Sequence, residues 1–82
     1  MRKRVILPDA LRTIRSLKAE SDPRFRNGTF GPACGISEAH IINIEKGRRG
    51  ASEELVFRIA SELGVPVTAI SYEVDETGSA VA

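Results

Sequence analysis

The sequence predicts an all-α domain of five short helices, and three observations support this fold class. Apolar residues recur three or four positions apart in several stretches of the chain, which is the spacing of one helix face. Serine, proline and glycine residues stand where those stretches would begin and end. A chain of 82 residues can bury one modest core, so we expect a single domain.

The first helix is expected to begin at Pro8, because the fixed φ of proline suits the first helical turn. Its buried stripe comprises Ala10, Leu11, Ile14 and Leu17. The basic residues off this stripe are Arg12, Arg15 and Lys18, which should form a solvated side. The helix should end before Pro23, since the residue that precedes a proline avoids the α region.

The position of Pro32 restricts the second helix. A proline inside a helix costs about 3 kcal/mol, because it lacks an N–H and clashes with the preceding turn. If Thr29 is the N-cap, the helix covers about residues 30–35 and Pro32 lies in the first turn. There its missing N–H removes no intrahelical hydrogen bond. We therefore expect a late and short second helix.

The third helix has the best-marked ends. Gly35 permits a tight turn, Ser37 is a good N-cap, Glu38 places negative charge in the first turn, and Gly47 suits the C′ position. Ser37, Ile41 and Ile44 share one face of the helix. The opposite face carries Ala39, Ile42, Asn43 and Lys46. Short and polar side chains on an outward face can be inserted into the DNA major groove, so this pattern predicts a recognition helix.

The fourth helix should begin after the N-cap Ser52 and end at Gly64. Its buried stripe comprises Val56, Ile59, Ala60 and Leu63, with Leu55 and Phe57 at its edges. A fifth helix over residues 66–71 would bury Val67 and Ile70. The helical domain thus spans residues 8–71, between a basic and apolar arm at 1–7 and a partly disordered tail at 72–82.

Charge divides unevenly along the chain. Residues 1–50 carry eleven Lys or Arg against five Asp or Glu, or +6, and residues 51–82 carry one against six, or −5. The basic half contains the third helix and the arginines that follow it. Positive charge concentrated there favours a nucleic-acid partner.

Several classes of function are disfavoured. No apolar run approaches the roughly 20 residues that cross a bilayer, and no signal peptide is recognisable, so a cytoplasmic, nucleoid-associated protein is expected. One cysteine, Cys34, and one histidine, His40, cannot form a disulfide or a zinc site. No catalytic or cofactor motif is present. We expect neither an enzyme nor a bound metal or cofactor.

The third helix and its surroundings resemble a known family. The residues that carry the resemblance are Gly35, Ile36, Ser37, Ile41, Ile44, Glu45, Lys46, Gly47 and Arg48, and further on Ser52, Ile59, Ala60, Leu63, Gly64, Val65 and Ile70. This pattern is similar to that of the helix-turn-helix family of phage repressors, Cro proteins and XRE-type transcriptional regulators, over roughly residues 8–71. The resemblance implies a phage-repressor-like fold that binds double-stranded DNA and regulates transcription in a bacterium or a phage.

The site residues follow from the faces of the third helix and from the resemblance. The residues expected to face base edges are Ser37, Glu38, Ala39, Ile42 and Asn43. The residues expected to hold phosphates are Arg26, Asn27, Lys46, Arg48 and Arg49. The resemblance also implies a structural ion pair between Glu45 and the basic residue near the end of the first helix, Lys18.

Two other functions remain open. An antitoxin of the same fold would use its acidic half to block a toxin, and a small interaction module would bind a phage or host protein such as a polymerase or a recombinase. For the regulator we expect a homodimer, because one module of this size reads only a few base pairs. Its interface candidates are Leu55, Phe57, Tyr72 and Val74, and residues 5–7 could pair as a strand with the segment around 72–74.

Overall fold

A computed structural model describes residues 2–75 and 80–81, and these form four α-helices and an antiparallel sheet of three strands. The helices are α1 (Pro8–Ala19), α2 (Asn27–Ala33), α3 (Glu38–Glu45) and α4 (Glu53–Leu63). The strands are β1 (Arg2–Ile6), β2 (Ser71–Asp75) and β3 (Ala80–Val81), in the spatial order β1-β2-β3. Single 3-10 turns cover Pro23–Phe25 and Val67–Ala69.

The ends of α1 and α4 are those that the sequence predicts. Pro8 is the first residue of α1. The Ser52 hydroxyl accepts a hydrogen bond of 3.2 Å from the backbone N–H of Leu55, which satisfies one donor that a helix start leaves unpaired. Gly64 closes α4 in the left-handed conformation, with φ of 73°. Local capping chemistry therefore fixes these boundaries.

The expected start of α2 is wrong. The helix begins at Asn27 and not after Thr29, so Pro32 is its sixth residue instead of lying in the first turn. Pro32 has no N–H, so the helical hydrogen bond to the Gly28 carbonyl is not formed. Gly28 is exposed, and its carbonyl can accept a hydrogen bond from water instead. The early start adds Asn27, whose side-chain amide donates to Glu45 Oε2 at 3.3 Å, and the N–H of Phe30 then donates to the Arg26 carbonyl at 2.7 Å. These bonds at the start of α2 offset the one that Pro32 removes.

The expected all-α fold of five helices is also wrong. The segment predicted as a fifth helix contains only the 3-10 turn Val67–Ala69, and the chain then enters β2. The strand β2 pairs antiparallel with β1, with Val5 opposite Tyr72 and Ile6 opposite Ser71. The proposed pairing of these two segments is thus confirmed within one chain. Residues 2–6, in the expected arm, form β1, and residues 71–75, at the start of the expected tail, form β2. Residues 1, 76–79 and 82 lie outside the described part.

The core takes side chains from all four helices, from β1 and from the segment before β2. Its largest fully buried side chains are Phe30, Leu11, Ile41, Ile44, Ile59, Leu63, Ile70 and Val56. The expected stripe of α1 is wrong at one position, because Leu17 is 60% exposed while Arg15 is 7% exposed. At about 100° per residue, Arg15 lies one turn after Leu11 on the same face, and Leu17 points away from it. The buried face of α1 therefore includes a charge.

Candidate nucleic-acid interface

The helices α2 and α3 form a tight helix-turn-helix. Gly35 adopts a left-handed φ of 82° in the turn between them. A Cβ atom at Gly31 would lie 2.9 Å from the backbone oxygen of Ser37 and 3.2 Å from the Ile41 side chain. Both contacts are closer than ordinary packing allows, so the crossing of the two helices requires a residue without a side chain at position 31.

The ends of α3 are capped as predicted. The Ser37 hydroxyl accepts a hydrogen bond of 3.0 Å from the backbone N–H of His40. At the other end, Gly47 has φ of 75°, and the backbone N–H of Arg48 donates to the Asn43 carbonyl at 2.9 Å. The loop that follows α3 is therefore anchored to the helix, and Arg48 and Arg49 lie next to the last helical turn.

The two faces of α3 differ as expected. Ile41 and Ile44 have no exposed surface and pack into the core. The predicted base-reading residues all retain contact with solvent, since Ser37, Glu38 and Ala39 are exposed and Ile42 and Asn43 are half-buried. The structure thus places these five side chains where an external partner can reach them. Whether each reads a base stays a prediction.

Glu45 forms its ion pair with Arg15, and the expected pair with Lys18 is wrong. Arg15 Nε donates to Glu45 Oε2, and Arg15 Nη2 donates to Glu45 Oε1 at 2.9 Å. A third hydrogen bond of 2.9 Å runs from Arg15 Nη1 to the Phe25 carbonyl. Lys18 instead holds its ammonium 5.5 Å from the centre of the Phe25 ring. Arginine suits the buried position because its planar guanidinium binds a carboxylate through two parallel bonds.

Asn27 takes part in the same buried network. Its side-chain amide donates to Glu45 Oε2 at 3.3 Å, which brings the start of α2 next to the end of α3. This bond uses the side chain that was expected to hold a phosphate. The preceding residue, Arg26, is exposed and keeps its side chain available at the same corner.

The arginines of the domain fall into two sets. Among those whose side chains the structure describes, five form ion pairs: Arg4 with Glu73, Arg12 with Asp9, Arg15 with Glu45, Arg24 with Asp22 and Arg58 with Glu62. The described residues give no acidic partner to the other three, Arg26, Arg48 and Arg49, and all three are exposed. Lys46 is likewise exposed. The arginines to which the described residues give no carboxylate partner are thus those at the start of α2 and after the end of α3.

The remaining chemistry-bearing groups indicate no second site. Cys34 is 4% exposed, and burial raises the pKa of its thiol to about 11, so it stays protonated at neutral pH. Within residues 2–75 and 80–81, no group of His, Cys, Asp and Glu side chains is arranged to hold a metal ion. No helix in the same part of the chain has the length and apolar character to cross a membrane.

Sequence reasoning missed two residues that shape this interface. Arg15 was assigned to the solvated side, although its position one turn after Leu11 was a usable signal. The sequence did not point to Gly31, because it does not show which residue of α2 packs against the N-cap residue of α3, Ser37. Both residues act by positioning α3 against the rest of the fold.

The chain was compared with known protein families and structures. A sequence model of the family described as helix-turn-helix matches residues 30–70, which are 41 of the 82 residues. The matched segment begins inside α2, includes α3 and α4, and ends just before β2. No curated protein and no solved structure matches the chain. The matched segment includes the turn at Gly35 and the helix α3, whose exposed face carries the candidate base-reading residues.

Proposed function

Because this chain belongs to the helix-turn-helix family of XRE and phage-repressor-type regulators and is therefore a DNA-binding regulator, we propose that it is a sequence-specific, Cro-like repressor of bacterial or phage origin. It acts by occupying a promoter site, and it performs no catalysis. The observation that carries this proposal is the set of exposed arginines for which no described residue provides a carboxylate partner. They lie at the two ends of the helix-turn-helix, before α2 and after α3.

In this proposal α3 lies in the major groove with its exposed face toward the base edges. Asn43 pairs with adenine through its amide, and the Glu38 carboxylate accepts a hydrogen bond from the N4 amine of cytosine. Ile42 contacts a thymine methyl group, which gives this half-buried apolar side chain a partner. Ser37 and Ala39 are small and allow the first turn of the helix to approach the bases closely.

Phosphates on either side of the groove bind the cations at the helix ends. Arg48 and Arg49 follow α3, Lys46 is its C-cap, and Arg26 precedes α2. Five other arginines pair with carboxylates of this chain, but the described residues offer no carboxylate partner to these four cations. Contacts of this kind hold the protein in register on DNA without reading sequence.

The regulator acts as a homodimer on two half-sites about one helical turn apart, since a single α3 reads only a few base pairs. The four expected interface residues do not form one patch. Arg4 pairs with Glu73 and lies over the ring of Phe57, so the side chains of Arg4 and Glu73 are on the side of the sheet that faces α4. Tyr72 is the neighbour of Glu73 in β2, and its side chain therefore points to the opposite side of the sheet. Leu55 packs against the core. We assign the dimer contact to the face of Tyr72 and Val74.

Substitution of Asn43 and of Arg49 tests the two roles separately. DNA sites are first selected from a random pool with the unaltered protein. Asn43→Ala should then weaken binding to the selected site by about 1–3 kcal/mol and relax the preference at one base pair, with little effect on non-specific binding. Arg49→Ala should weaken binding to all sequences alike and lower the slope of log K against log salt by about one unit.

Arg12→Ala is the matched control for Arg49→Ala. It removes the same charge from an exposed arginine, but Arg12 has a carboxylate partner in Asp9. Its salt slope should equal that of the unaltered protein. The proposal is wrong if selection yields no preferred site, if Asn43→Ala keeps the full base preference, or if Arg49→Ala and Arg12→Ala change the salt slope equally.

A further inference from the structure

The carboxylate of Glu38 lies in a space left open by Gly28. Glu38 is the first residue of α3, and Gly28 is the second residue of α2. A Cβ atom built at Gly28 would lie 3.2 Å from Glu38 Oε2 and 3.6 Å from Glu38 Cδ. Both residues are exposed, so this contact is at the surface of the helix-turn-helix and not in its core.

This contact differs from the one at Gly31 in the same helix. A side chain at Gly31 would meet the backbone oxygen of Ser37 at 2.9 Å, so the helices themselves would have to separate. A side chain at Gly28 would meet only the end of one flexible side chain, which can move aside. The missing side chain at position 28 is thus not required for the packing of α2 on α3, but a methyl group there would displace the Glu38 carboxylate by a few tenths of an ångström.

The Glu38 carboxylate also remains available to a ligand. No hydrogen bond from a described residue reaches it, whereas the other carboxylate of α3, that of Glu45, is fully used by Arg15 and Asn27. An acceptor without a donor, held at the exposed first turn of the helix, fits a base that presents an amine in the major groove. Cytosine N4 and adenine N6 are the two such groups.

We propose that Gly28 is a specificity-determining residue of this protein, because its missing side chain lets the Glu38 carboxylate occupy the position from which it selects a base that presents an amine. Gly28 is a positioning residue and touches no base itself. The inference rests on the proposed function, since it assumes that α3 enters the major groove. It adds that base selection by Glu38 depends on a residue of α2.

The test is a double-substitution cycle measured on sites selected from a random DNA pool. Glu38→Ala first identifies the base pair whose preference depends on this carboxylate. Gly28→Ala should lower the preference at that same base pair by about tenfold, the effect of one lost base contact. In a protein that already carries Glu38→Ala, adding Gly28→Ala should change the preference no further.

The control is Gly50→Ala, the same substitution at an exposed glycine with nothing within 4 Å of the added atom. It should leave the preference unchanged.

Thermal unfolding should show that Gly28→Ala does not destabilise the fold, because alanine favours a helix and no backbone is displaced. Without DNA, Gly28→Ala should shift the side-chain NMR resonances of Glu38 and leave those of Glu54 in place.

Three outcomes overturn the inference while the proposed function stands. The first is a Gly28→Ala protein with the full preference of the unaltered protein. The second is an equal effect of Gly28→Ala with and without Glu38, which would mean that position 28 contacts DNA directly. The third is a shift of preference at a base pair other than the one that depends on Glu38. If the unaltered protein itself shows no base preference, the proposed function fails and the inference falls with it.

Discussion

The ion pair between Arg15 and Glu45 joins α1 to α3 through charges that are almost completely buried. The exposed fractions of the two side chains are 8% and 6%. Burial of two charges costs free energy, and the cost is offset only where every polar atom finds a partner. Here the guanidinium also reaches the Phe25 carbonyl, and the carboxylate also accepts from Asn27. The network joins α3 directly to α1 and α2, and through Arg15 to the Phe25 carbonyl.

Removal of one partner of this pair should destabilise the fold strongly. We expect Arg15→Met and Glu45→Met each to lower the free energy of unfolding by about 3–5 kcal/mol, because each leaves a buried charge unpaired. The double replacement should recover part of the loss. Urea unfolding of the four proteins measures this coupling, and Lys18→Met serves as the control that should change stability little. Additive losses would show that the two side chains do not interact.

The buried thiol of Cys34 should make stability depend on alkaline pH. Its pKa is raised from 9.0 to about 11, first by burial and then by the charge of Glu62. Above pH 9 the unfolded chain releases this proton while the folded protein keeps it, so stability should fall as pH rises from about 9 to about 11. Unfolding measured across this range should show the fall, and Cys34→Ala should lack that component. Equal slopes for both proteins would contradict the expected burial of the thiol.

At the scale of the elements, the packing of α2 on α3 depends on a glycine and on two capping devices. The Ser37 cap and the left-handed Gly35 set the direction of α3, and Gly31 lets α2 approach its first turn. A helix of eight residues such as α3 is too short to be stable alone. Its position relative to the rest of the domain therefore comes from these contacts and from its buried isoleucines.

Gly31→Ala should weaken this packing. The added methyl group would meet the Ser37 backbone oxygen at 2.9 Å, and overpacking of this kind costs about 1–3 kcal/mol even though alanine favours a helix. Gly28→Ala is the matched control in the same helix, since its methyl group meets only a flexible side chain. Thermal unfolding should separate the two variants, with only Gly31→Ala less stable. Equal stability would mean that the helices adjust without cost.

At the scale of the whole molecule, the sheet closes the helical body and creates a second surface. The strand β1 packs its Ile6 into the core and pairs with β2, so the two ends of the domain are held together. Tyr72 on β2 is 40% exposed on the side away from α4. A contact between two copies at this face would use residues of β2 and none of α3.

We expect the protein to have the mass of a dimer in light scattering when bound to its selected site. Tyr72→Glu should lower the dimer fraction, because it places a charge in an apolar contact. Phe57→Glu is the control, since Phe57 lies on the other side of the sheet and is 48% exposed. A monomeric mass with and without DNA would refute the dimer. Loss of the dimer with Phe57→Glu alone would move the contact to α4.

The sequence alone determined the features that depend on neighbouring residues. The start of α1 at Pro8, the caps Ser37 and Ser52, and the ends at Gly47 and Gly64 are all confirmed. The buried and exposed faces of α3 and α4 follow from helical spacing and are confirmed as well. Such features need only the preferences of a few consecutive residues, so no knowledge of the rest of the fold was required.

Only the tertiary structure decided the features that join distant parts of the chain. The choice between Arg15 and Lys18 depends on how α1 is rotated against α3. The early start of α2 brings its first residue, Asn27, into a hydrogen bond with Glu45 at the end of α3. The pairing of β1 with β2 joins residues about 70 positions apart, as in the pair of Arg2 and Asp75. Just before β2, the expected fifth helix is reduced to the 3-10 turn Val67–Ala69. Local propensity is weak at each of these places, so contacts between distant residues determine the structure there.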